Sequence, residues 1–381
     1  MKKLHLFIFV FVLVVLFFSI TIKEPNVDIS TLQCLSGFER VKDISSLMKT
    51  PPQIQASAAI LYDPKAQTIL YAKNAHKERA PASTTKIMTA ILTLERSKLD
   101  ETVTVSKTAA RIGGSQAGLK EGEIYTVGEL LWALLLLSGN DASIALAEHV
   151  SGSVKDFCLL MNKRAKELGC TNTNFINPHG LSDKEHYSSV ADLALIAAHA
   201  LKYPLFQEIV SSKEKEISWS QSFAKYLKNT NKLLWLFEGA DGVKTGTTNM
   251  AGACLVSSAT KDGRQLIAVV LNSRNRWVES ARLLQWGFDN TQSVLLVAKA
   301  ETIPDIFIKK ARKLVVGYVL DDIWVAVPKG VKPFVDFVPY QLEAPIKKDQ
   351  LLGFIKYGTT VDHTKQEAVY SLEKVKKRLF F

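Results

Sequence analysis

Cysteine is scarce and irregularly placed. The 381 residues hold four, Cys34, Cys158, Cys170 and Cys254, with no Cys-x-x-Cys pair and no Cys/His spacing of a zinc site. This excludes zinc modules and dithiol redox motifs, and no metal is called for. Cys254, inside Ala-Cys-Leu-Val, reads as a small core residue. A Cys158–Cys170 disulfide is compatible with the sequence without following from it. A Gly-rich phosphate loop and an RNP-like aromatic cluster are also lacking, so the formal net charge of +11 does not indicate nucleic acid. Lysines and arginines are spread along the chain with few runs, which suits attraction to an anionic envelope, or solubility alone. Internal repeats and low-complexity segments are absent.

One long apolar run is present. Residues 4–22 (LHLFIFVFVLVVLFFSITI) follow Lys2 and Lys3 and precede Lys23 and Glu24, as in an export signal or a membrane anchor. The run exceeds the ~7–15 residues of a signal-peptide core and approaches the ~20 that span a bilayer. Only Ser19-x-Thr21 offers a cleavage site, and a weak one, so the expectation is an uncleaved anchor that places everything after residue 22 outside the cytoplasm. Residues 23–52, with Pro25, Pro51 and Pro52, read as a tether.

Such a length suits two domains. Ala58-Ala-Ile-Leu-Tyr62 and Gln67-Thr-Ile-Leu-Tyr-Ala72 flank the turn Asp63-Pro64-Lys65 and predict a hairpin. Helical patterning follows from Ser83, over Thr126 to Val150 with a break at Ser138-Gly139-Asn140, over Phe157 to Leu168 and over Ser189 to Leu201. Two apolar runs, Ala251 to Ser258 and Arg264 to Leu271, flank Lys261-Asp262-Gly263 as a second hairpin, and Glu279 to Phe288 closes as a helix. This order predicts an α+β fold in which the first and last strands share one antiparallel sheet flanked by helices, over residues 53–290. From 291 to 370 short β-prone pieces separated by Gly, Pro and charges predict a small C-terminal all-β domain, and 371–381 a short basic tail.

Three polar groups stand out from apolar surroundings. Pro81-Ala82-Ser83-Thr84-Thr85-Lys86 sets a hydroxyl and an amine three residues apart at a helix start, on one face. An alcohol needs a neighbouring base to become a nucleophile at neutral pH. Five other Ser-x-x-Lys quartets occur, at Ser46, Ser212, Ser222, Ser258 and Ser371, so the spacing alone is unspecific. Ser138-Gly139-Asn140 ends an apolar helix, and polar groups there are either satisfied within a loop or line a cleft. The third group is Lys244-Thr245-Gly246; each of these two triplets occurs once.

In this order the three motifs resemble those of the serine penicillin-recognising enzymes. With PASTTKIMTA, GGS at 113–115, LLLLSGNDASIALAEHVSG, NPHGL at 177–181, DGVKTGTT, AGACLVSSA and LLQWGF, the chain is similar over residues 55–360 to the D-alanyl-D-alanine carboxypeptidases, the low-molecular-mass penicillin-binding proteins of peptidase family S11. The resemblance implies a peptidoglycan stem peptide ending in D-Ala-D-Ala as substrate, β-lactams as acylating inhibitors, and no cofactor. It casts Ser83 as nucleophile, Lys86 as base and Ser138 as proton relay. Asn140 would hold Lys86 or the substrate amide. The N–H groups of Ser83 and Thr247 would form an oxyanion hole, and Lys244, Thr245 and Arg276 would take the substrate carboxylate. Gly246 would leave room for the substrate along the strand. His179 reads as a loop-fixing residue. Two features depart from the family pattern. A long amphipathic C-terminal helix is missing, and Thr247 stands where some relatives have histidine. A β-lactamase, a D,D-endopeptidase and a wall-binding protein without turnover are the rival readings; a Glu-x-x-Leu-Asn loop, which fast deacylation commonly uses, is not found.

Overall fold

In a computed structural model, residues 50–220, 223–299, 301–359 and 364–378 are described. The apolar run at 4–22 and nearly all of the tether at 23–52 lie outside them. The described residues form two compact units, one within 50–295 and 324–333, the other within 296–323 and 334–378.

The first unit is built on a five-stranded sheet. Its strands are β1 (Ala58–Asp63), β2 (Thr68–Lys73), β7 (Ala240–Thr248), β8 (Gly252–Lys261) and β9 (Arg264–Leu271), in the order β2-β1-β9-β8-β7. The same unit holds two small ribbons, β3 (Thr102–Thr104) with β4 (Ile124–Thr126), and β5 (Glu214–Trp219) with β6 (Phe223–Lys228). The first and last strands of this sheet in sequence, β1 and β9, pair antiparallel, Ile60 opposite Val269, as the element order predicts. The β8–β9 turn is the two-residue loop Asp262-Gly263, with φ 51 and 72. Both lie in the left-handed region that a tight hairpin turn of this kind requires.

Both faces of the sheet are covered, which is why its strands read as continuous apolar runs. Ile60, Val256, Ile267 and Val269 face a core shared with the helices. These are α1 (Lys86–Arg96), α2 (Lys107–Arg111), α3 (Val127–Leu136), α4 (Asn140–Ser151), α5 (Val154–Glu167), α6 (Val190–Ala200) and α7 (Pro204–Ser211). On the other face Leu61, Leu255, Leu266 and Val270 pack with Leu283, Leu284 and Trp286 of α9 (Arg276–Asn290), next to the one-turn α8 (Leu233–Leu236). At the core of the helical layer is α1, buried from Lys86 through Thr93. Its polar residues are paired in turn: Thr89 Oγ1 donates to Pro178 O at 2.6 Å and Thr93 Oγ1 to Thr89 O at 2.8 Å.

The second unit is all β. A sheet of order β11-β12-β16-β15-β14 joins Thr302–Ile306, Val315–Tyr318, Thr364–Ser371, Leu351–Gly358 and Phe334–Pro339. Strands β10 (Thr291–Val297) and β13 (Ile323–Pro328) pair separately, most of both falling in the first unit. Cys158, Cys170 and Cys254 are buried free thiols, so no Cys158–Cys170 disulfide is formed. Burial pushes their pKa values up, to about 12 for Cys170, and Cys254 sits in the core as the sequence suggests. No described helix is long and apolar enough to cross a membrane.

Candidate active site

Ser83 sits in a single 3₁₀ turn, Ala82–Thr85, that runs directly into α1. Ala82 has φ 50, a left-handed conformation that costs a non-glycine residue energy and that folded proteins keep mostly at functional positions. Two close approaches hold the turn. A Cβ on Gly246 would lie 2.9 Å from Ser83 N and 3.1 Å from Pro81 O, and one on Gly180 would lie 1.9 Å from Ala82 O. Gly246 thus lets strand β7 touch the backbone of the nucleophile turn, a reason more immediate than room for a substrate. Gly180 brings the Asn177-Pro-His-Gly-Leu181 loop against the same turn.

Lys86 is fully buried, and its Nζ has three neighbours: Ser83 Oγ at 3.1 Å, Asn140 Oδ1 at 2.7 Å and His179 O at 2.8 Å. Two of the three can only accept. His179 O is a carbonyl, and the Asn140 amide is oriented by its own Nδ2, which donates to Gly113 O at 2.6 Å. A neutral amine has two hydrogens and one lone pair. With both hydrogens committed to Asn140 and His179, the lone pair is left to face the Ser83 hydroxyl. Burial, and then the nearby charge of Lys244, hold the Lys86 pKa well below its usual 10.5, while Asp141 pulls the other way.

Ser138 and Asn140 come from the break between α3 and α4. Ser138 has φ 63 and is buried, but its hydroxyl makes no hydrogen bond to Ser83 or Lys86. Asn140 N donates to Ser115 O at 2.7 Å. The next residue, Asp141, anchors the facing loop, accepting from Ala117 N, Gly118 N and Leu119 N at 2.8–3.1 Å. Its place in the sequence, acidic in the first turn of a helix that is otherwise apolar over its buried middle, is the signal that identifies it.

The third group lies on β7, beside the nucleophile turn. Lys244 is 1% exposed, and burial together with Arg276 lowers its pKa to about 7. Neither Lys244 nor Lys86 makes an ion pair among the described residues. Thr245 Oγ1 meets Thr230 Oγ1 at 2.8 Å, a contact that nothing in the Asn229-Thr230-Asn231 sequence announces. Arg276, half-buried at the start of α9, donates through Nη1 to Gly246 O at 2.8 Å, Thr247 Oγ1 at 2.9 Å and Cys254 O at 3.2 Å. It therefore stands beside the strand that carries Lys244-Thr245-Gly246.

Two buried imidazoles back the site. Burial and Lys86 depress the pKa of His179 to about 3, and its Nδ1 accepts from Leu181 N at 3.1 Å. His186 is lowered to about 4. Its Nδ1 accepts from Ile176 N at 3.2 Å, which leaves Nε2–H to donate to Thr85 Oγ1 at 2.8 Å. Both rings are neutral pillars of the loop.

The sequence matches the family model for D-alanyl-D-alanine carboxypeptidases over residues 45–275. It is 35% identical over 340 residues to the D-alanyl-D-alanine carboxypeptidase DacF of Bacillus subtilis (strain 168), covering 86% of this chain and 87% of that one. It is 36% identical over 350 residues to DacC of Escherichia coli (strain K12), covering 87% and 86%. Among solved structures, penicillin binding protein 5 from Haemophilus influenzae superposes with a TM-score of 0.78 at 33% identity, over 86% of this chain and all of that one. The Streptomyces K15 DD-transpeptidase superposes with 0.61 at 36% identity, over 63% of this chain and all of that one. On these grounds the chain belongs to the D-alanyl-D-alanine carboxypeptidases, peptidase family S11.

Proposed function

We propose that this carboxypeptidase hydrolyses the terminal D-alanine from peptidoglycan stem peptides through an acyl-enzyme on Ser83, and that β-lactams acylate the same hydroxyl. The observation that carries this reading is the setting of Lys86 Nζ, 3.1 Å from Ser83 Oγ and held by two acceptors, Asn140 Oδ1 and His179 O, so that in the neutral amine the lone pair faces Ser83. Ser83 Oγ adds to the carbonyl carbon of the penultimate D-alanine as its proton passes to Lys86 Nζ. The tetrahedral oxyanion is held by the N–H groups of Ser83 and Thr247. Collapse breaks the C–N bond, and the proton leaves with the D-alanine nitrogen by way of Ser138, which must turn toward that nitrogen to relay it. Water then attacks the ester and gives its proton to Lys86. Expulsion of Ser83 Oγ, reprotonated from Lys86, restores the enzyme.

Lys244, Thr245 and Arg276 recognise the free carboxylate, a role that favours a carboxypeptidase over an endopeptidase. Residues 53–290 carry the chemistry, and 291–370 form an accessory β domain. Residues 4–22 would hold the enzyme at the outer face of the cytoplasmic membrane, with 23–52 as spacer. The test is release of D-alanine from a pentapeptide ending in D-Ala-D-Ala. One equivalent per peptide is expected from the wild type and none from Ser83→Ala. Rapid β-lactam turnover without D-alanine release would instead indicate a β-lactamase.

A further inference from the structure

In the β unit, residues 374–378 do not form a free tail. They lie antiparallel to 309–313: Arg312 N donates to Lys376 O at 3.0 Å, Arg378 N to Lys310 O at 2.7 Å, and Ala311 pairs with Lys377. On the other side Val375 pairs with Ile346. Two segments more than sixty residues apart thereby bring together Lys309, Lys310, Arg312 and Lys313 with Lys374, Lys376, Lys377 and Arg378. Glu343 answers Lys309 and Lys310 at 3.0 and 2.8 Å, and Glu373 answers Lys313 at 2.6 Å. The other five cations make no ion pair among the described residues, and all are exposed. Residues of both segments, Arg312, Lys313, Lys374, Val375 and Lys376, line an open depression of about 420 Å³.

Apolar side chains border this basic surface. Leu314 is 47% exposed and Leu372 is 44% exposed, next in the chain to the paired Lys313 and Glu373, and Leu372 N donates to Val316 O at 2.9 Å. Exposed leucine beside a concentration of lysine and arginine is the composition of a surface that rests in the headgroup region of a bilayer. A soluble polyanion would engage the cations and leave the leucines in water. We infer that the face formed by residues 309–314 and 372–378 docks on anionic phospholipid, with the cations against the headgroups and Leu314 and Leu372 at the acyl boundary. This surface is folded and two-stranded, unlike an amphipathic helix, and it operates whether or not residues 4–22 remain attached.

Lysine footprinting tests the inference without relying on a variant. The full chain is mixed with nanodiscs of phosphatidylcholine, or of phosphatidylcholine with phosphatidylglycerol, and acetylated briefly, and each lysine is read by mass spectrometry. Lys374 and Lys376, which share a side of the segment with Arg312 and Leu314, are expected to label several-fold more slowly with the anionic discs, with the difference erased near 0.5 M salt. Lys107 and Lys155, in the other unit, serve as the internal reference and should not change. Arg312→Glu with Arg378→Glu should remove the protection while D-alanine release from a soluble pentapeptide stays intact. Equal labelling in both lipids would overturn the inference. So would protection by soluble polyglycerol phosphate that anionic discs fail to reproduce, which would assign the face to an anionic polymer instead.

Discussion

In the catalytic unit Lys86 and Lys244 are 0% and 1% exposed, without an ion-pair partner among the described residues, whereas in the β unit Lys374, Lys376 and Lys377 stand exposed in a group of like charges. The same side chain is put to opposite uses. Desolvation lowers the pKa of a lysine and makes its lone pair available near neutral pH, so a buried lysine becomes a base. An exposed one keeps its charge and adds to a field that reaches about 8–10 Å in ordinary salt. Number matters for the second use and placement for the first.

Substitutions break this contrast most sharply at the buried end. Lys86→Met should lower kcat for D-alanine release by about 10²–10⁴-fold, the usual contribution of a positioned base, while Lys376→Met leaves kcat unchanged. Comparable losses from both would mean that burial does not set lysine's role. Next in size is Arg276→Ala. Losing a charge-assisted hydrogen bond of roughly 1.5–3 kcal/mol lowers kcat/KM by about one to two decades on a free-carboxylate substrate, and by little on the amidated peptide. An undiminished effect on the amide would place the arginine's role elsewhere.

Asp141→Asn sharpens the comparison in another way. It replaces an acceptor of the Gly118 and Leu119 amides with a donor, so stability to urea should fall by about 1.5–3 kcal/mol. It also removes the one charge that supports a proton on Lys86. The acid limb of kcat/KM should then move to lower pH, a shift that a purely structural loss would not produce. The smallest effect concerns Lys244. Its folded pKa of about 7 lies below the usual 10.5, so between those values the unfolded chain binds more protons and stability rises with pH. Thermal melts should show the wild type gaining on Lys244→Met from pH 7 to 9, and no relative gain would place the amine in a more hydrated setting.

Much of this was legible in sequence because it depends on local pattern. The sheet's two hairpins follow from apolar runs around Asp63-Pro64-Lys65 and Asp262-Gly263, and Ser138-Gly139-Asn140 falls where a buried helix must break. The β5–β6 ribbon was not, because Glu214–Trp219 opens with three consecutive charges and has only Ile217 and Trp219 as apolar residues, in a segment that is otherwise turn-rich. Strand β16 (Thr364–Ser371), polar over its first half with Lys365, Gln366 and Glu367 exposed, escaped for a similar reason. Within the site, motif residues could be named in advance, but the partners that orient them could not. The His179 carbonyl, the His186 ring and Thr230 act across 93, 101 and 15 residues of sequence. Of these, the His179 carbonyl joins Asn140 Oδ1 in accepting from the Lys86 amine.

The central claim, that unprotonated Lys86 draws the proton from Ser83, is tested most directly by the rate of penicillin acylation followed by intact mass across pH, with the adduct mapped to its peptide. A single adduct on Ser83 is predicted, forming faster as pH rises through one ionisation well below 10.5, and Lys86→Met should lose both the rate and that ionisation. An adduct on any other serine, or a Lys86→Met variant that acylates at the wild-type rate with the same pH dependence, would contradict it.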